Sequence, residues 1–115
     1  MHSLKLTRDF QRIFSQGIWL SKRNSPIKIR MIPEGEKFLV GLILSRKTGN
    51  AVKRNKAKRQ VRSILRKIYK SNLIYGKFAL IFTKQFVDGS FDEKRDRLNR
   101  IFQGASVKQS RNIFN

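Results

Sequence analysis

Apolar residues recur along the first third of the chain in two rhythms. Leu6, Phe10, Ile13 and Phe14 fall at i, i+4, i+7 and i+8, the repeat of one helix face. Thr7 can cap such a helix, Asp9 suits its first turn and Gly17 its end, so a helix is predicted over residues 7–16. From Ser25 the repeat shortens to two. Ile27, Ile29 and Met31 share one face while Lys28 and Arg30 share the other, which predicts a strand with one cationic face. Beyond the "PEGEK" turn at 33–37, "FLVGLILS" is apolar on both faces, as expected for a strand inside a sheet. The short connection predicts that these two strands pair antiparallel.

Gly49 and Asn50 then interrupt the strand pattern, and Asn50 is a good N-cap for a helix running to about Lys70. Its apolar stripe is Ala57, Val61, Ile64, Leu65 and Ile68. "FALIFT" at 78–83 predicts another strand, and "FDEKRDRLNRIF" at 91–102 a helix with acids in its first turn and basic residues later. Ile18 to Leu20 leave room for one more short strand. Residues 1–103 are expected to form the domain, and the polar, aperiodic segment 104–115 a loose tail. The order helix, strand, strand, helix, strand, helix predicts an α+β fold. It is an α/β sandwich on a small mixed four-stranded sheet with three helices.

Length and charge sharpen this picture. A chain of 115 residues is sized for one domain. Lys and Arg number 27 against 7 acids, a net charge of +20, and a compact domain with that imbalance repels itself unless anions are nearby. The acids are segregated: Asp9, Glu34 and Glu36 lie early, Asp88, Asp92, Glu93 and Asp96 late, and none falls between. Cysteine is absent, which excludes disulfides and thiolate metal sites and is compatible with a reducing cytoplasm. The longest apolar run, "FLVGLIL", is too short to span a bilayer, and the N-terminus lacks a signal-peptide core, so a cytoplasmic protein with no membrane partner is expected. No glycine-rich phosphate loop suggests a small-molecule substrate.

The charge concentrates in "KTGNAVKRNKAKRQVRSILRKIY", residues 47–69, which holds nine Lys or Arg and no acid. With Val61 at the centre of the buried face, steps of about 100° per residue gather Asn55, Arg59, Arg62 and Arg66 on one flank and put Lys56, Lys67 and Lys70 on the back. Arginine forks suit bidentate phosphate contacts better than lysine ammonium groups do. Charged helix faces are usually only solvated, but ordinary solvated helices mix signs. Eleven basic residues without an acid between Arg46 and Lys70 therefore point to a nucleic acid.

The spacing Arg46-Lys47-x-Gly49-Asn50-Ala51-Val52-x-Arg54-Asn55-x-x-Lys58-Arg59-x-x-Arg62 resembles the RNR signature of the bacterial ribonuclease P protein family. "DFQRIFSQG" is similar to that family's first helix, "VGLILSRK" to its strand before the signature, and "SFDEKRDRLNRIF" to its last helix, so the resemblance spans roughly residues 4–103. It implies a ribosomal-protein-like sandwich whose signature helix lies in a left-handed crossover, against the right-handed rule that holds in about 98% of cases. It also implies a protein that binds the catalytic RNA of ribonuclease P and helps remove the 5′ leader of precursor tRNA. The RNA would supply the active site and bind the catalytic Mg²⁺; no catalytic or metal-binding side chain is implied for the protein. Arg46, Lys47, Arg54, Asn55, Lys58, Arg59 and Arg62 would face the RNA subunit, and the helical wheel adds Arg66. A cleft between the first helix, the sheet and the signature helix would receive the single-stranded leader, with Phe10 and Phe14 matching its aromatic positions. On the residues alone, two Phe on an apolar stripe are more often core; the resemblance implies a mixed role. Lys28 and Arg30 share the cleft-facing side of their strand. Many relatives carry an aromatic residue where Lys28 stands, which exchanges a stacking platform for a phosphate contact.

Two other functions compete. A structural RNA-binding protein, such as a ribosomal protein, explains charge and size but not the whole signature. A protein-only nuclease needs clustered carboxylates or a histidine pair. Asp88, Asp92, Glu93 and Asp96 more simply flank a helix start, and His2, the lone histidine, is expected at a mobile terminus with no chemical role.

Overall fold

The computed structural model describes residues 2–4, 7–71 and 74–114, with side chains described for 4, 7–71 and 74–103. In chain order the elements are β1 (His2–Ser3), α1 (Thr7–Gln16), β2 (Ile18–Trp19), β3 (Ile27–Ile32), β4 (Phe38–Ile43), α2 (Ala51–Ser71), β5 (Gly76–Phe82), α3 (Lys84–Asp88) and α4 (Phe91–Phe114). A single 3₁₀ turn, Arg46–Thr48, precedes α2. The predicted strands and long helices are all present in an α+β sandwich. Helix α4 is longer than the predicted 91–102; the expectation for 104–115 falls on residues whose side chains lie outside the description.

The strands form one mixed sheet in the order β1-β4-β5-β3-β2. The expected pairing of β3 with β4 is not made: β5 lies between them, antiparallel to β3 and parallel to β4. Their opposed directions follow from the short connection, but adjacency does not. Two strand spacings, about 9.6 Å, are well within the reach of five connecting residues. Strand β5, at the centre, is the most fully buried strand, with Phe78, Ala79, Leu80 and Phe82 all buried on its two faces. Strand β1 was not anticipated either. Two residues carry no readable period, and they add to the sheet edge in parallel with Leu39 and Val40, so His2 sits in a strand and not in a mobile terminus.

Period two divides the apolar residues between two cores. Ile27, Ile29 and Met31 of β3, Phe38 and Val40 of β4, and Phe78, Leu80 and Phe82 of β5 point to the face covered by α2 and α4. There Phe38 packs edge-on to Phe78 and Phe102 at 5.1 and 5.9 Å, tying both strands to α4. Ala57, Val61, Ile64, Leu65 and Ile68 of α2 are buried in this core, the whole predicted stripe. At about 1.5–3 kcal/mol for each large side chain, their burial outweighs the few tenths of a kcal/mol that each like-charge pair on the outer face costs. Among the described residues the opposite face carries only α1, seated through Ile13 on Ala79 and Leu4. Ion pairs between Asp9 and Lys77 of β5 (2.9 Å) and between Arg12 and Glu34 of the 33–37 turn (2.8 Å) hold one side of α1 to the sheet and its turn.

Lys94 is a buried cation that the sequence pattern did not flag. Its Nζ donates to Gln60 Oε1, Val87 O and Gly89 O at 3.0, 3.1 and 2.6 Å, so it joins α2 to the α3–α4 turn. Burial, and secondarily the charge of Lys56, push its pKa below the ordinary lysine value.

Candidate nucleic-acid interface

The turn entering α2 explains the fixed glycine and asparagine of the signature. Thr48, buried, donates through Oγ1 to Ser45 O at 2.7 Å. Gly49 then adopts φ 150°, a conformation that side chains with a Cβ rarely take. Asn50 Oδ1 accepts from Lys53 N at 2.9 Å, the predicted cap. This closed turn sets the direction in which α2 leaves the sheet, and with it the orientation of every basic residue downstream. Arg46 and Lys47 sit exposed on the turn itself.

Along α2, Asn55, Arg59, Arg62 and Arg66 are all exposed on the predicted flank, and Lys56, Lys67 and Lys70 are exposed on the back. No ion pair or hydrogen bond among the described residues engages the side chains of Arg59, Arg62 or Arg66. Their forks are therefore free to meet phosphate. Arg54 differs. It lies close to the buried stripe, half-buried, and its Nε is buried without a hydrogen-bond partner among the described residues.

The second predicted surface lies on the α1 side of the sheet. Phe10 is half-buried, packed with the small core and pressed so closely over Gly41 that a Cβ there would overlap its ring. Phe14, one turn on, is 40% exposed. The mixed role thus divides: Phe10 is mainly packing and Phe14 mainly surface. Beyond α1 the sheet face is open. Register puts Lys28, Ile81 and Ile43 in one row across β3, β5 and β4, with Lys28 exposed and both isoleucines half-exposed. Arg30 is not free in the same way. Its Nε donates to Ile13 O at 2.9 Å and its guanidinium lies 5.0 Å from the Trp19 ring, so it closes the last turn of α1.

The two surfaces meet. A groove of about 290 Å³ between α1 and α2 is lined by Phe10, Gly41 and Leu42 on one side and by Lys58, Arg62 and Leu65 on the other. Lys58 and Arg62, expected on the RNA-subunit flank, therefore also form one wall of the cleft. Trp19 was missed: it stands opposite Arg30 in the β2–β3 ladder, on the cleft side, and is 46% exposed. A single tryptophan in a two-residue strand has no periodic signal by which to be found.

The late acids do not converge. Asp88 pairs with Lys84 at 2.9 Å and Lys53 at 3.8 Å, its pKa held below the usual carboxylate value first by the Lys84 hydrogen bond; Asp92 and Asp96 both face Arg95. Ser90 Oγ accepts from Glu93 N and begins α4. No helix is long and apolar enough to cross a membrane among the described residues.

Comparison with known proteins agrees with this geometry. The family model for Ribonuclease P matches residues 1–106. The Ribonuclease P protein component of Bacillus velezensis is 34% identical over 105 residues, covering 90% of this chain and 89% of the relative. That of Bacillus cereus is 31% identical over 111 residues, covering 94% of each. Among solved structures, the RNase P protein of Staphylococcus aureus superposes with a TM-score of 0.80 at 28% identity, over 93% of this chain and 97% of that one. The Thermotoga maritima RNase P protein gives 0.74 at 28% identity, over 86% and 93%. With the signature turn, the arginine flank and the α/β sandwich all in place, the chain belongs to the ribonuclease P protein family, the RNA-binding protein components of a tRNA-processing ribonucleoprotein.

Proposed function

We propose that this protein binds the catalytic RNA of ribonuclease P through the α2 flank and holds the single-stranded 5′ leader of precursor tRNA in the cleft between α1, the sheet and α2. The observation that carries the reading is the meeting of the two surfaces at Lys58 and Arg62. A cation row running from the signature helix into an open cleft with Phe14 on its wall suits an RNA scaffold on one side and an unpaired strand on the other. Arg46, Lys47, Arg59 and Arg66 neutralise phosphates of the folded RNA, a contribution that weakens as salt rises, and Asn55 adds an uncharged hydrogen-bonding group to their row. Phe14 offers a stacking face, and Lys28 offers a phosphate contact on the cleft floor.

In this reading the RNA carries the catalysis and would bind the catalytic Mg²⁺, and the protein works in the cytoplasm by positioning substrate. The described side chains supply binding groups: free guanidinium forks, exposed lysines and an exposed ring, with the nearby acids engaged by cations. The test is cleavage of a 5′-extended precursor tRNA at low Mg²⁺ by a bacterial ribonuclease P RNA, with and without the protein. Correctly placed cleavage that needs both components supports the proposal. A folded, RNA-binding protein that gives no stimulation would move the function to structural RNA binding.

A further inference from the structure

We infer that Trp19 is a base-stacking platform that extends the cleft to the β2 edge of the sheet and takes an unpaired nucleobase of the bound strand. The inference rests on the leader-binding reading above and adds to it a residue on the β2 edge of the sheet, beyond the cleft floor formed by β4, β5 and β3.

Three observations point to it. First, the ring is both exposed and held. Trp19 is 46% exposed, yet Arg30 lies 5.0 Å from its centroid, and Arg30 is itself fixed by its bond to Ile13 O at the end of α1. A cation over an indole is favourable, and a ring already held in place loses little freedom when a base stacks on it. Second, the ring faces the open side of the sheet. Trp19 pairs directly with Arg30, and Arg30 with Ala79, so all three project to the side on which α1 lies. Lys28, one row along on β3, is on the same face and exposed. Of the three exposed large aromatics among the described residues, Phe14, Trp19 and Tyr69, the first two are on this face, while Tyr69 stacks on Phe38 of the main core. Third, the charge around the ring selects the ligand. Lys22 and Arg23, in the β2–β3 connection just beyond Trp19, are exposed, and no acid neighbours them in sequence. An apolar ring among cations suits the alternating bases and phosphates of a single strand better than an apolar peptide.

The position also bears on Lys28. Lys28 gives the cleft floor a charge and no stacking surface, and Trp19 supplies one on the neighbouring strand. A strand entering between Phe10 and Arg62 would cross Phe14 and Lys28 and reach Trp19 at the sheet edge, about 14 Å from β4 at three strand spacings.

Trp19 is the sole tryptophan, so its fluorescence reports on this site alone. Holoenzyme assembled with a bacterial ribonuclease P RNA is titrated with precursor tRNA carrying a long leader, a truncated leader, or none. The long leader is expected to quench Trp19 emission and mature tRNA to leave it unchanged. Trp19→Ala should weaken binding of the long-leader substrate about tenfold and leave mature tRNA binding as it was, while Trp19→Phe should keep most of the affinity. Absence of quenching together with full long-leader affinity in Trp19→Ala overturns the inference. Equal losses for precursor and mature tRNA also overturn it, since they mark a packing role. If the wild-type protein does not stimulate cleavage at all, the functional reading falls by itself. Titration of the protein alone with a single-stranded RNA oligonucleotide at low salt then decides the platform: quenching sustains it, and none refutes it.

Discussion

Replacing Arg59 and Arg62 together with Ala isolates the electrostatic part of RNA binding. Both side chains are exposed on α2 and neither makes an ion pair or hydrogen bond among the described residues, so the fold loses no such bond. The helix gains slightly. Two of a row of like charges at spacings of three and four are removed, and alanine is the best helix former, so stability should stay level or rise by about 0.2–0.5 kcal/mol. Binding should respond strongly. Each phosphate neutralised contributes about 0.9 to the slope of log affinity against log salt, so two lost contacts should flatten that slope by about 1.8. Over a fourfold rise in salt, the wild type should therefore lose about 12-fold more affinity than the double variant. The assay is equilibrium binding to the ribonuclease P RNA across a salt series, with thermal unfolding as the control for folding. An unchanged slope at unchanged stability would remove this flank from the interface. A weaker affinity with an unchanged slope would mean that the arginines act through shape and not through charge.

Other variants address the cleft and its supports. Phe14→Ala should weaken precursor tRNA binding more than mature tRNA binding, by about five- to tenfold, because under the proposed function only the precursor carries a 5′ leader to lay against the exposed ring; equal losses in a binding assay would indicate packing. Gly41→Ala places a methyl against the Phe10 ring and should lower stability by about 1–3 kcal/mol in denaturant unfolding while displacing that ring into the groove. Lys94→Met leaves three acceptors, one buried and two part-buried, without their donor and should cost about 2–4 kcal/mol at neutral pH. Because burial lowers the folded-state pKa of Lys94, the unfolded chain binds more protons between that value and the ordinary lysine value. The wild type's advantage over Lys94→Met should therefore grow as pH rises through that window, measured by unfolding at a series of pH values.

What could be read in the sequence was what repeats. The α2 stripe is legible because five buried positions return at helical spacing, and the free flank follows from the same wheel once the buried side is known. The Asn50 cap and the stop at Gly17 are legible because their chemistry is local; Gly17 is further required by the close approach of Ile13 O and Met31 O. Strand adjacency is not local. The insertion of β5 between β3 and β4 depends on which strand buries best on both faces, and a five-residue turn is compatible with either arrangement. For the same reason the roles of Arg30 and Lys28 looked alike at spacing two and diverge in the fold. The end of α1 reaches one of them and leaves the other open.

That divergence changes how charge should be assigned to function in this chain. Of the 27 basic residues, those nearest the cleft divide into cations that build it and cations that remain available in it. Lys77 and Arg12 hold the outer side of α1 through Asp9 and Glu34, and Arg30 closes its last turn, so neutralising any of them would move the helix that carries Phe14. Loss of RNA binding in such a variant would report a displaced wall and not a lost phosphate contact. Lys28, Lys58 and Arg62 make no such bond among the described residues and can be neutralised with the cleft intact. The two classes should therefore separate experimentally: the first should lower folding stability and leader affinity together, the second leader affinity and salt dependence alone. A charge count cannot make this distinction, and the hydrogen-bond partners around α1 do.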